Sequence, residues 1–168
     1  MIRSFDGKKP RIADSAFVSE AAYVIGDVEI GENCSIWPGV VVRGDTVSIR
    51  IGHNTNIQDN SVIHCDVAMD IGHDVLIGHS VVVHATRVGS NTLIGNNATV
   101  LEMVEIGSFC LIAAGCLVSP ALKIPDNSFV IGIPGRIKGQ TSQEQRLRLE
   151  HGIHHYAELG KRYKELGL

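Results

Sequence analysis

An aliphatic residue recurs about every six positions through a hundred residues of this chain, and it is often followed by glycine. Three steps depart from six: they are nine, eight and five residues long and follow Val42, Ile63 and Val83. The repeated positions are Ile30, Ile36, Val42, Ile51, Ile57, Ile63, Ile71, Ile77, Val83, Val88, Ile94, Val100, Ile106, Ile112, Val118, Ile124 and Val130. A repeat this long constrains the fold more than any other feature of the sequence.

A period of six with β-branched residues is typical of a β-helix in which three short strands form one triangular coil of about eighteen residues. One repeat cannot bury its apolar side alone, so the aliphatic side chains must stack inside the prism. A sandwich of short strands is the alternative, but its hairpin turns would not keep one period over this distance. The sequence therefore predicts a mainly β protein, with a parallel β-helix domain over residues 1–139.

The pattern changes after Gly135, and we predict a C-terminal α-helix over residues 140–168 that packs on the outside of the prism. Thr141 and Glu144 have the spacing of a capping box at the start of this helix. Four apolar or aromatic residues follow at helical spacing. They are Leu149, Ile153, Tyr156 and Tyr163. Three histidines of this segment, His151, His154 and His155, are interpreted as surface residues.

Charge and cysteine content exclude several classes of function. With 15 basic and 18 acidic residues and a net charge of -3, the chain has no basic field for nucleic acid or an anionic membrane. The amino end has no apolar run of signal or membrane-spanning length, so we predict a cytoplasmic protein. The four cysteines form no CxxC pair. Cys34, Cys110 and Cys116 each lie two residues before a repeat aliphatic and are predicted to be buried free thiols.

Four of the eight histidines fall in the segment "HCDVAMDIGHDVLIGHSVVVHA". His64 and His84 each follow an inward aliphatic residue, so both should point outward from the same face on successive coils. Arg43 holds the equivalent place one coil earlier. Counting repeats assigns the neighbouring aliphatic residues to three faces. These are Ile36, Ile57 and Ile77 on the first face, Val42, Ile63 and Val83 on the second, and Ile51 and Ile71 on the third.

His79 lies on the first face toward a corner and cannot readily join His64 and His84 of its own prism at metal-ligand distances. If three prisms pack about a threefold axis, the first face of one chain meets the second face of the next, and the three histidines converge. Three imidazoles with an open fourth position are the usual catalytic zinc set. The alternative is a histidine stack without a metal. His53 and His73 stack on the third face and are predicted to lie outside the site.

Polar residues surround this predicted metal site. Arg43 and Asp59 could form an ion pair across the subunit contact, since a guanidinium suits bidentate pairing with a carboxylate. Gln58 could hydrogen-bond a water on the metal and orient it. Asn56 could do the same or shape the turn, and the turn is its more typical role.

The motifs "RGD", "NIQDNSVIH" and "GHSVVVHA", followed by "IGIPGR" and a C-terminal helix, resemble the gamma-class carbonic anhydrases and their relatives. The resemblance covers nearly the whole chain. It implies a left-handed parallel β-helix and a homotrimer with a metal at each of three interfaces. The metal would be zinc, or else iron or cobalt, and no nucleic acid or membrane would be involved.

The same resemblance implies roles for individual residues. The metal ligands correspond to His64, His79 and His84. The interface and site residues correspond to Arg43, Asp45, Gln58 and Asp59, and a tyrosine of the C-terminal helix near the site corresponds to Tyr156.

The activity implied is that of a lyase, carbonate dehydratase: a metal-bound hydroxide attacks carbon dioxide and bicarbonate leaves. The chain departs from the well-active members in two ways. Thr46 follows Asp45 where they carry glutamate, and only the short "CDVAMD" separates His64 from Ile71, where they carry an acidic loop used for proton export. Without a placed carboxylate, proton export is expected to be slow. The alternatives are a metal-dependent acyl-CoA thioesterase or other hydrolase, and a catalytically weak metal-binding scaffold. A hexapeptide acyltransferase is a further rival, but it needs only one histidine base.

Overall fold

The β-branched repeat folds as predicted. The computed structural model describes residues 1–168 as a left-handed parallel β-helix of about seven turns, followed by one α-helix. A left-handed coil is an exception to the right-handed rule for parallel crossovers. The strands are β1 (Ile2–Arg3), β2 (Arg11–Ile12), β3 (Phe17–Val18), β4 (Tyr23–Ile30), β5 (Ser35–Ile36), β6 (Val41–Ile51), β7 (Asn56–Ile57), β8 (Val62–His64), β9 (Met69–Ile71), β10 (Leu76–Ile77), β11 (Val82–Val83), β12 (Arg87–Val88), β13 (Leu93–Ile94), β14 (Thr99–Val100), β15 (Glu105–Ile106), β16 (Leu111–Ile112), β17 (Leu117–Val118), β18 (Lys123–Ile124), β19 (Ser128–Ile131) and β20 (Arg136–Gln140).

The predicted assignment of strands to three faces is confirmed by the strand pairing. On the first face, Ile57 pairs with Ile36 and Ile77; on the second, Ile63 pairs with Val42 and Val83; on the third, Ile51 pairs with Ile71. The first face contains β3, β5, β7, β10, β13, β16 and β19. The second and third faces share the long strands β4 and β6, which continue around the corner between them.

The core is the column of inward aliphatic side chains. Ile36, Ile57, Ile63 and Ile77 have no exposed surface, and burying each stabilises the fold by about 1.5–3 kcal/mol relative to leaving it in water. All four cysteines are buried free thiols, which confirms the prediction for Cys34, Cys110 and Cys116 and adds Cys65. Burial raises the pKa of the Cys34 thiol to about 12, so this thiol is held in its protonated form.

Two outward columns distinguish the second and third faces. On the third face, side chains of alternating charge stand opposite one another on successive strands, and we call this set the charge ladder. It consists of Arg11, Glu29, Arg50, Asp70, Arg87, Glu105 and Lys123. On the second face the corresponding column is mostly apolar, and we call it the apolar column. It consists of Tyr23, Val41, Val62, Val82, Thr99 and Leu117.

The predicted C-terminal helix is present as α1 (Gln143–Glu165), and it covers the first face, which the sequence did not indicate. From the helix, Ile153 is buried, and Tyr156 and Tyr163 pack against the core. His151, His154 and His155 are exposed, as expected. Nothing in the helix is long and apolar enough to cross a membrane.

The predicted start of the helix is wrong by one residue. The N-cap is Ser142, which forms a capping box with Gln145. Thr141 does not cap the helix: its hydroxyl donates to the backbone oxygen of Phe109 at 3.0 Å and accepts from Nε of Arg146 at 3.1 Å. The sequence also did not predict β20, an antiparallel strand that pairs with β19 just before the helix.

Candidate metal centre

The second face places His64 and His84 one above the other, as predicted. Their rings lie 5.5 Å apart between centroids, and both side chains are largely covered, with exposed fractions of 12% and 24%. Two imidazoles held this close on adjacent rigid strands need little rearrangement to share one ion.

A backbone carbonyl fixes which nitrogen of His64 is available. Its Nδ1 lies 2.8 Å from the backbone oxygen of Arg43, on the strand next to it. Because a carbonyl oxygen can only accept, Nδ1 donates its proton and the lone pair lies on Nε2. Metal-binding histidines are commonly oriented by such a bond.

Asp66 is the residue that the sequence did not reveal. Its carboxylate oxygens lie 3.8 Å from Nε2 of His64 and 3.8 Å from Nε2 of His84. Asp66 stands between β8 and β9, in the eight-residue step between Ile63 and Ile71. The expectation that no carboxylate lies beside the ligands is therefore wrong. The irregular step could have indicated this residue, because the two residues by which the step exceeds six fall at the corner beside His64 and His84.

His79 lies at the edge of the first face with its own orienting partner. Its Nδ1 is 3.0 Å from Asp59 Oδ2; the carboxylate accepts, so Nε2 again carries the lone pair. His79 is 46% exposed, and it does not belong to the close group formed by His64, Asp66 and His84. That His79 completes the site of a neighbouring chain stays a prediction.

Arg43 forms an ion pair with a carboxylate of its own strand, β6. It lies 2.7 Å from Asp45, and its hydrogen bond and positive charge lower the pKa of the Asp45 carboxyl. Asp59 accepts from His79 in the same chain. The predicted ion pair between Arg43 and Asp59 of different subunits stays a prediction.

Gln58 and Asn56 are buried on the first face. The register places Gln58 in one column between Trp37 and Gly78, next to Asp59. The turn role considered for Asn56 is wrong, because Asn56 lies on β7. Its Nδ2 donates to the hydroxyl of Ser35 at 2.7 Å, whereas its side-chain oxygen is buried without a partner.

Tyr156 reaches this region from the helix. Its ring packs edge-on against Trp37, with 5.9 Å between centroids, and Trp37 is the direct neighbour of Gln58 in its column. Tyr156 therefore lies above Trp37, one strand away from Gln58.

The donor set suits a borderline divalent cation. Two imidazole nitrogens of one chain lie within 4.8 Å of each other and of the Asp66 carboxylate, and imidazole is a zinc ligand. In His64 and His79 a hydrogen bond holds Nδ1, so Nε2 on the opposite side of each ring is available to a metal. The residues present therefore fit a metal ion.

Comparison with known proteins agrees with this architecture. The model of the bacterial transferase hexapeptide family (six repeats) matches residues 9–44. A putative acetyltransferase of Bacillus cereus superposes with a TM-score of 0.94 at 37% identity, over 99% of this chain and 98% of that one. The fold and its histidine site thus define a hexapeptide-repeat β-helix protein.

Two relatives narrow the class. A carbonic anhydrase of Geobacillus kaustophilus is 39% identical over 99% of this chain and 92% of its own length. The mitochondrial gamma carbonic anhydrase 2 of Arabidopsis thaliana is 34% identical over 96% of this chain, which spans 60% of that relative's length. The chain belongs to the gamma-class carbonic anhydrase family.

Proposed function

We propose that the protein is a metal-dependent carbonic anhydrase, a lyase that hydrates carbon dioxide reversibly to bicarbonate. His64 and His84 of one chain and His79 of the next would hold zinc, or iron or cobalt, at each interface of a homotrimer. The observation that carries this proposal is the pair of adjacent imidazoles, His64 and His84, on successive coils, in a close group that does not include His79 of the same chain.

The apolar column supports the homotrimer. It precedes Arg43, His64 and His84 by two residues on each strand, so it lies on the same outward side as the histidines. Val82 is 40% exposed in the single chain. A second copy of the chain would cover this apolar surface and bring its own His79 to the column at the same time, a heterologous contact that closes after three copies.

The proposed reaction adds water to carbon dioxide and releases one proton with the bicarbonate. A divalent cation at this site would act as a Lewis acid and lower the pKa of water toward 7. The carbonyl of Arg43 and the carboxylate of Asp59 keep Nε2 of His64 and His79 free to bind it. Gln58 can orient water from the first face. Asp66, 82% exposed and 3.8 Å from both imidazoles, is placed to accept the proton and pass it to solvent.

The decisive experiment removes the ligand supplied by the neighbour. Tag-free protein is stripped of metal, reloaded with zinc, iron or cobalt, and measured for tightly held metal, mass in solution and carbon dioxide hydration by stopped flow. We expect His79→Ala to lose the metal and at least about a hundredfold in hydration, while the trimer persists. His151→Ala, an exposed histidine on the helix, serves as the control and should change nothing.

Full metal occupancy in the His79→Ala trimer would contradict the proposed ligand set. A metal-loaded trimer that fails to hydrate carbon dioxide with any of the three metals would contradict the activity. The same preparations should be assayed for acyl-CoA hydrolysis and acetyl transfer, because the Bacillus cereus structural relative is described as a putative acetyltransferase. Hydrolysis without hydration would assign the thioesterase alternative, acetyl transfer the acyltransferase, and neither activity the metal-binding scaffold.

A further inference from the structure

A second histidine pair lies on another side of the molecule. His53 and His73 follow Gly52 and Gly72 at the end of the third face, where the missing side chains let successive coils approach closely. The two rings are stacked, 4.7 Å apart between centroids and tilted by only 6°. Both residues are exposed.

Asp74 joins this pair and is itself held in place. Its Oδ2 lies 2.6 Å from Nδ1 of His73, and its Oδ1 accepts a hydrogen bond of 3.0 Å from the side-chain amide of Asn54. The carboxylate accepts the Nδ1 proton of His73, so the lone pair of that ring lies on Nε2. This is the arrangement in which a carboxylate orients a metal-binding imidazole.

We propose that His53 and His73, with Asp74 orienting the His73 ring, form a second metal site that binds a first-row divalent transition metal such as Cu²⁺, Ni²⁺ or Zn²⁺. One ligand atom from each of the three lies within 4.8 Å of the others. Imidazole favours these metals, and the carboxylate supplies negative charge. All three residues come from one chain, so this site does not depend on assembly.

Small movements of exposed side chains complete the geometry. At metal–nitrogen distances of about 2.0–2.1 Å, two nitrogens that share an ion lie at most about 4.2 Å apart. Because the lone pairs of two nearly parallel rings point side by side, the rings must tilt toward each other to share an ion. A backbone hydrogen bond of 3.0 Å from the amide of Asp74 to the carbonyl oxygen of His53 joins the two coils here, whereas the exposed ring of His53 can turn toward His73. Glu32 occupies the equivalent position one coil before His53 and adds negative charge beside the site.

The test uses His64→Ala, in which the proposed interface site has lost a ligand, in tag-free and metal-stripped form. Cu²⁺ and Zn²⁺ are titrated separately by calorimetry, and Cu²⁺ is also followed by the broadening of histidine ring signals in NMR spectra. We expect one site per chain and selective broadening of His53 and His73. Adding His53→Ala or His73→Ala should weaken binding at least tenfold, Asp74→Asn should weaken it less, and His151→Ala should leave it unchanged.

Three results would overturn the proposal: no binding of either metal by the His64→Ala protein, binding that survives His53→Ala with His73→Ala, or broadening confined to the helix histidines. Circular dichroism and mass in solution check that each variant is folded. Because the starting protein already lacks His64, failure of this site leaves the proposed carbonic anhydrase centre untouched, and failure of that centre leaves this site testable.

Discussion

Single charged residues on the third face contribute to stability through the partners that the coil brings beside them. Asp27 lies 2.9 Å from Arg50 and 3.4 Å from Lys8. The hydrogen bond and charge of Arg50 lower the pKa of the Asp27 carboxyl, and Lys8 adds to this effect. Asp27 is well covered, with 17% of its side chain exposed, so the pair is less screened than a fully exposed one.

This depressed pKa predicts a pH-dependent stability. A carboxyl with a folded pKa below its unfolded value of about 3.9 stabilises the fold fully above that value, and the contribution disappears as the pH falls through the folded pKa. Asp27→Asn should therefore be less stable than the parent near pH 6 and approach it below pH about 3. Urea denaturation between these values measures the difference.

Glu102→Gln provides the control, since Glu102 is exposed and forms no salt bridge. A stability difference for Asp27→Asn that stays constant from neutral to acid pH would show that Asp27 acts through packing and not through its charge.

At the scale of elements, the register of strands was predictable and the contacts of loops and helix were not. A fixed period assigns every aliphatic residue to a face, because each coil repeats the one before it. That is why His64 and His84 could be stacked from sequence alone. Asp66 was missed because its position depends on the path of a corner that is two residues longer than the others, and Asn56 was misjudged as a turn residue although it directly precedes Ile57 on strand β7.

The helix α1 contains two glycines whose surroundings predict opposite responses. A Cβ on Gly160 would lie 2.9 Å from Cβ of Ser35 and 3.4 Å from Cβ of Phe17, which are fixed to β5 and β3. A Cβ on Gly152 would meet only the end of the Leu76 side chain, at 2.9 Å. Rotation of Leu76 can relieve the second contact, whereas only movement of the helix can relieve the first.

We expect Gly160→Ala to destabilise the protein by about 1–3 kcal/mol through overpacking. Gly152→Ala should be neutral or stabilising by up to about 1 kcal/mol, because alanine favours the helix. Denaturant unfolding of the two variants beside the parent measures both values. Equal losses in the two variants would mean that helix α1 does not dock on the first face as described.

At the scale of the whole molecule, the three faces have three different neighbours. The helix covers the first, the charge ladder presents the third to water, and the apolar column leaves the second for another copy of the chain in our proposal. This division was not predictable from the repeat, which describes only the inward residues. It depends on the residue that directly precedes each repeated aliphatic residue. On the third face this preceding residue is charged, and on the second face it is mostly apolar.

A shared site predicts complementation between two inactive variants. His79→Ala and His84→Ala should each lack hydration activity as pure trimers. In trimers assembled from an equal mixture, a site is intact where the His79→Ala chain supplies His64 and His84 and the His84→Ala chain supplies His79. Random assembly gives this arrangement at about a quarter of the interfaces. Stopped-flow assay of the reassembled mixture measures the recovery.

Mixing each variant with itself through the same dissociation and reassembly gives the baseline. If the mixture recovers nothing although native mass measurements show mixed trimers, all three ligands belong to one chain and the interface assignment is wrong.

The constant rise of the coil has a consequence for how such a protein can change over evolution. Neighbouring strands lie about 4.8 Å apart, so each outward column is a grid of positions whose spacing no surface substitution alters. Ser90 already stands next to His73 on this grid, as Arg43 stands next to His64. A single codon change at such a position can add or remove a ligand while the buried aliphatic column stays as it is. New chemistry can therefore arise on this scaffold without being traded against its stability.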